Sequence, residues 1–273
     1  NTGSYTISET RPAITGYTNG TTSIDGGTAS SAAAVQNTVE LATAGKTVVV
    51  ENTYTRDTHS LTVTKDVTWN STYSQAPNEN DTFTFEVVIG SGSATAVEVT
   101  GGTVDNGGAL NATYLVTLTG RRNGEGTEQL VLTGVPYGVT YSVKETNKTN
   151  GNGGTYGAAI YTVGGSTGTT FVSDTMGTAN VSVGVENPYF QSLTTAFTVN
   201  KVWAQGSDQA TSVTVQLKQG DANYNAQTLN AGNGWTYTWN NLPQYYQDAQ
   251  GNYQTYSYSV EETGVAGATL KDG

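Results

Sequence analysis

LTVTKDV at 61–67 and TFTFEVVI at 82–89 alternate apolar with polar or charged side chains along most of their length. A period of two is that of a β-strand with one face turned to a core. The alternation returns in TYLVTL at 113–118, QLVLT at 129–133, VTYSVK at 139–144 and NVSVGV at 180–185, then in FTVNKVW at 197–203, SVTVQL at 212–217, WTYTW at 235–239 and YSYSVE at 256–261. Gly- and Asn-rich stretches, which supply turns, separate the runs. The spacing predicts an all-β chain of short strands, as in an immunoglobulin-like sandwich. One stretch, SSAAAVQNTVELA at 30–42, reads as a short helix on its alanines.

Composition narrows the function. Twenty-two acidic and 11 basic residues leave a net charge of −11, which opposes docking on nucleic acid or on an anionic membrane. The charge reads as solubility; acidic calcium loops would need a DxDxDG-type spacing, and the sequence has none. There is no cysteine; a secreted chain without disulfides needs a large core or another staple. No apolar run reaches transmembrane length. The abrupt start at Asn1 and end at Gly273 suggest a piece of something longer.

Internal repetition carries more than composition. YTISET at 5–10, YSVKET at 141–146 and YSVEET at 258–263 align Glu9, Glu145 and Glu262. VVVENTY at 48–54 and VGVENPY at 183–189 align Asn52 with Asn187. LTVTKDV at 61–67 and FTVNKVW at 197–203 align Lys65 with Lys201. Turn-like TGVP at 133–136 and NNLP at 240–243 precede their Glu strings at similar distances. The order within a repeat is therefore Lys strand, Pro turn, Glu strand, Asn strand. Residues 57–192 hold it once, as a complete sandwich. Residues 1–56 hold the closing half, and 193–273 the opening part. The expected linkers, near 55–58 and 190–195, are only a few residues long, which favours tandem immunoglobulin-like sandwiches arranged as a stiff rod over a flexible tether.

Lys65 shares parity with Leu61 and Val63, so it points inward with them. An inward lysine is costly unless neutralised or paired. Desolvation lowers a lysine pKa and raises that of a glutamic acid, so a buried Lys–Glu pair can sit as neutral amine and neutral acid. A neutral amine is a nucleophile and an asparagine carboxamide is its electrophile. The acid can polarise the amide and pass a proton to the departing ammonia. Lys65, Glu145 and Asn187 are thus candidates for a Lys–Asn isopeptide bond made once, without a cofactor.

These strings also resemble known families. Residues 57–192, through VTK, FTFEV, TGVPYGVTYSVKET and VENPY, resemble the major-pilin domains of Gram-positive bacteria that carry intramolecular isopeptide bonds. Residues 197–263, through TVNKVW, SVTVQL, WTYTW, NLPQY and YSYSVEET, resemble a Cna B-type domain, and 5–54 resemble the closing half of either type. The resemblance implies Lys65 bonded to Asn187 with Glu145 assisting, Lys201 acting with Glu262, and Asn52 with Glu9. Neither end segment closes its own bond within this sequence, and no LPxTG or pilin-type lysine motif is found. The implied function is a cell-surface shaft or stalk, extracellular, partnered by neighbouring domains or subunits of the same protein. The alternative is an adhesive module that holds a host matrix protein or a glycan on a loop face. A turnover enzyme is not expected.

Other residues have plainer readings. Trp69, Trp203, Phe83 and Phe85 read as core packing, and Tyr245, Tyr246, Tyr253 and Tyr256 as rim packing, with a sugar-binding face as the sharper alternative. Glu51, Glu186 and Glu261 alternate away from the site strings. A single histidine, His59, with no cysteine gives no zinc site.

Overall fold

The computed structural model describes residues 2–90, 97–104, 113–125, 129–206 and 209–267; the last residues of the third segment, 268–273, lie outside them. Within these residues the chain is all-β but for one short 3-10 turn at Ala231–Asn233. It folds into two compact units. The first comprises residues 1–68, 78–151 and 157–188; the second comprises 69–77, 152–156 and 189–273.

The heart of the first unit is an immunoglobulin-like sandwich. One sheet runs Ser166–Gly168, Ile160–Val163, Val181–Phe190, Thr58–Thr68, Gln129–Pro136 and Glu98–Thr100. The facing sheet runs Val172–Thr175, Thr140–Lys148, Thr82–Ile89, Thr113–Thr119 and Thr103–Val104. Alternation decides what fills the space between them. Leu61, Val63, Lys65 and Val67 are buried from one strand, and Phe83, Phe85, Val87 and Ile89 from the other. The Lys65 strand (Thr58–Thr68) lies parallel and adjacent to the Asn187 strand (Val181–Phe190).

Residues 1–56 add two antiparallel pairs: Gly3–Thr10 with Ala34–Leu41, and Tyr17–Ile24 with Val50–Arg56. The expected helix at 30–42 is therefore a strand. In AVQNTVEL every second residue turns inward, with Val35 and Val39 buried, and Asn37 Nδ2 donates to the Ile24 carbonyl at 2.7 Å. Three β-branched side chains, Val35, Thr38 and Val39, and a waiting strand partner outweigh three alanines at the edge of the segment. One residue, Asp57, separates Val50–Arg56 from Thr58–Thr68; its amide donates to Gly16 O, and Arg56 Nε donates to Tyr137 O at 2.6 Å.

The second unit holds the strands Thr194–Asn200 with Thr236–Pro243, and Ser212–Gln219 between Ala222–Asn230 and Tyr258–Ala266. Val213, Val215, Leu217, Leu229, Trp239 and Leu242 form its core. Tyr245–Gln247 and Tyr253–Thr255 make a hairpin whose tyrosines do pack. Tyr73 stacks on Tyr253 at 4.4 Å between centroids and meets Tyr245 edge-on at 5.1 Å. The segment 190–195 is held on both sides: Leu193 N donates to Tyr73 O, Gln75 Nε2 to Ser192 O, and Gln244 N to Leu193 O. Tyr73→Ala removes the stacked ring and should cost about 1–3 kcal/mol locally. Faster amide exchange at Leu193 and Tyr256, with the first unit unchanged, is the expected readout.

Candidate functional site

Three strands deliver the site of the first unit. Lys65 faces inward on Thr58–Thr68, opposite Val185, while Asn187 stands opposite Val67, one step along on the same face. Glu145 comes from the facing sheet, on Thr140–Lys148. Lys65 and Asn187 are fully buried, and the Glu145 side chain is only 5 % exposed.

The carboxylate is shared between the other two. Glu145 Oε2 lies 3.8 Å from Lys65 Nζ, and Oε1 accepts from Asn187 Nδ2 at 3.1 Å. Asn187 Nδ2 also donates to Gly157 O at 2.9 Å, which fixes the amide plane. Gly157 is required there, because a Cβ would meet Pro188 Cγ at 2.7 Å. Lys65 Nζ donates to Asp66 O at 2.5 Å and sits 4.2 Å above the Phe83 ring. Among the described residues, two buried side-chain oxygens have no hydrogen-bond donor, Glu145 Oε2 and Asn187 Oδ1. Such groups are rare in folded proteins, and here both belong to one small polar cluster.

Burial pulls the Lys65 ammonium down from 10.5 to about 8; Glu145, Asp66 and Glu186 oppose this and Lys148 assists it. A substantial neutral fraction near physiological pH is what a nucleophilic amine needs.

The repeats meet in pairs elsewhere. Asn52 Nδ2 donates to Glu9 Oε1 at 3.2 Å, and Asn52 Oδ1 accepts from the buried Thr22 hydroxyl at 2.6 Å. No described lysine joins that pair; Lys46 is taken by Asp25. Lys201 Nζ lies 2.8 Å from Glu262 Oε2, with side chains 25 % and 39 % exposed, and 4.8 Å above Trp203. Lys201 falls just beyond its strand, which ends at Asn200: the strand has a single partner, Thr236–Pro243, so nothing described holds its other edge. Glu261 pairs outward with Lys218, and Glu186 accepts from Thr68. Phe83 and Phe85 are core, as expected. Among the described residues there is no cluster able to hold a metal ion, and no helix long and apolar enough to cross a membrane.

Residues 197–272 match the Cna protein B-type domain. The match covers the third segment and does not reach the other two. Among solved structures, the chain is similar to the pilus-presented adhesin Cpa at 24 % identity and TM-score 0.33, over 48 % of this chain and 27 % of that one. It is also similar to the major pilin of Streptococcus pyogenes at 16 % identity and TM-score 0.42, over 69 % of this chain and 70 % of that one. A second Streptococcus pyogenes major pilin, T3.2, gives 18 % identity and TM-score 0.40, over 68 % and 67 %. This chain thus spans about a quarter of the adhesin's length. No curated protein matches it.

A pH test follows for Asn187→Ala, which removes the carboxamide beside Lys65. Between about 8 and 10.5 the unfolded chain keeps a proton on Lys65 that the folded chain has shed. Stability should therefore rise with pH through that window. Adding Lys65→Met should remove the rise in denaturant titrations.

Proposed function

We propose that this chain is part of an extracellular stalk or shaft protein of a cell surface, stiffened by a self-made isopeptide bond between Lys65 and Asn187. The observation that carries the reading is the convergence of a buried amine, a buried carboxamide and one shared carboxylate. The Cna B-type match of residues 197–272 supports the same class of protein.

The chemistry is one exchange of bonds. Lys65 Nζ, as free amine, attacks Asn187 Cγ. The Cγ–Nδ2 bond breaks, and the proton given up by Lys65 travels over Glu145 to Nδ2, which leaves as ammonia. Glu145 is placed for the transfer, with one oxygen toward the amine and the other on the amide nitrogen. Sheltering from water strengthens each of these interactions. Nothing is regenerated, so the reaction happens once per chain and is not turnover catalysis.

Mechanically, the bond joins neighbouring parallel strands that open and close the domain. Tension entering at Thr58 would pass from Lys65 to Asn187 and leave at Phe190, bypassing about 120 residues of intervening chain. A cross-link over a loop of that size is worth on the order of 5 kcal/mol in the loop-entropy account. We read the segments 1–56 and 193–273 as parts of like domains, one holding acid and amide, the other amine and acid. The partners are neighbouring domains or subunits of the same surface protein.

The intact chain should weigh one ammonia less than its sequence, by mass spectrometry. Lys65→Ala or Glu145→Ala should restore the full mass and lower the melting temperature. An unchanged mass and melting curve in Lys65→Ala would defeat the assignment.

A further inference from the structure

Two lysines reach the Glu145 carboxylate. Lys148 Nζ lies 3.5 Å from Oε1, the oxygen that also holds Asn187 Nδ2, while Lys65 faces Oε2. A regular strand would send residues 145 and 148 to opposite faces. A bulge at Thr146 prevents this: Glu145 pairs with Phe85, Asn147 with Thr84 and Lys148 with Phe83. Phe83 and Phe85 share the core face, so Lys148 is returned to the side of Glu145.

The fold does not by itself demand a cation there. Tyr258–Ala266 carries the same bulge, with Glu262 opposite Val215, Gly264 opposite Thr214 and Val265 opposite Val213. Val265, an apolar residue, thus occupies the place that Lys148 holds beside Glu145. Lys148 is also the solvent-side member of its site, 33 % exposed against 0 % for Lys65. It lines a cavity of about 350 Å³ that reaches Glu145 between Tyr161, Ala159 and Phe171. The Tyr161 hydroxyl accepts from Glu145 N at 2.8 Å and braces the same spot.

We propose that Lys148 is a positioning residue for bond formation: it pins Glu145 from the solvent side and leaves Lys65 as the amine that sheds its proton and attacks Asn187. The inference rests on the isopeptide reading above. With Lys148 as its hydrated counter-ion, the carboxylate does not depend on a charged Lys65 inside the core. The groups facing Lys65 are Glu145, Asp66, Glu186 and Lys148, of which only Lys148 disfavours its charge. Atoms balance as before: Lys65 loses one proton, Asn187 loses ammonia, and Lys148 ends the step unchanged.

The test follows cell-free synthesis of the full chain, quenched in denaturant at intervals, with the one-ammonia mass loss read across neutral to alkaline pH. In the parent chain the rate should rise with a midpoint near about 8. Lys148→Met should slow the loss roughly tenfold at neutral pH and move the midpoint upward, because a like charge has gone. Lys148→Arg, which keeps charge and reach, should restore both. Melting of Lys65→Ala with and without Lys148→Met reports any purely structural effect. A Lys148→Met chain that bonds with the parent's rate and midpoint overturns the proposal alone, as does failure of Lys148→Arg to restore them. A parent chain that never loses ammonia, or a cross-link mapped to Lys148, overturns the isopeptide reading with it.

Discussion

A lysine ammonium cannot lie in a hydrocarbon core uncompensated, and the first unit is arranged around that constraint. Lys65 takes a position that alternation would fill with valine, between Val63 and Val67. Its compensation includes carbonyls on its own and the neighbouring strand, an aromatic face beneath it and a carboxylate from the opposite sheet. Each partner depends on a different structural level, namely strand geometry, core packing and the pairing of two sheets. Desolvation still prevails, and the amine loses basicity. The penalty that would make a lysine a poor core residue is what lowers the hold of its amine on a proton.

The same residue types behave differently where water reaches them. Lys201 and Glu262 form a shorter ion pair than Lys65 and Glu145, yet both are partly exposed. An exposed pair is screened and contributes little. At the other end, the Asn52 amide oxygen is satisfied by Thr22, whereas that of Asn187 has no donor. An unsatisfied buried carbonyl beside a shared carboxylate is a higher-energy arrangement, and a proton delivered into that cluster relieves it. The sites therefore differ in closure: in the first unit, strands from both sheets bury Lys65 and Asn187 completely.

Most strands could be read directly, because half-buried sheets write their two faces into the chain as a period of two. LTVTKDV and TFTFEVVI needed no more than that. The site residues were legible through repetition, since Glu9, Glu145 and Glu262 stand in matching strings and so do Asn52 and Asn187. The stretch at 30–42 misled because alanines favour a helix locally, while the deciding term was pairing with Gly3–Thr10. Tyr73 and Lys148 were not legible. Tyr73 meets its partners 172 and 180 positions away, at Tyr245 and Tyr253. Lys148 sits at a spacing that predicts the wrong face, and only the bulge at Thr146 corrects it.

By itself the sequence determined most of the strands, their inward faces and the identity of an amine, an acid and an amide at repeated positions, because these are properties of local pattern. The tertiary structure decided which of those groups touch. Parallel pairing of Thr58–Thr68 with Val181–Phe190 sets Asn187 one step from Lys65, and the facing sheet brings Glu145 across to both. It also decided which lysine stays wet and which is dried, since burial is a sum over distant neighbours that no short stretch of chain encodes.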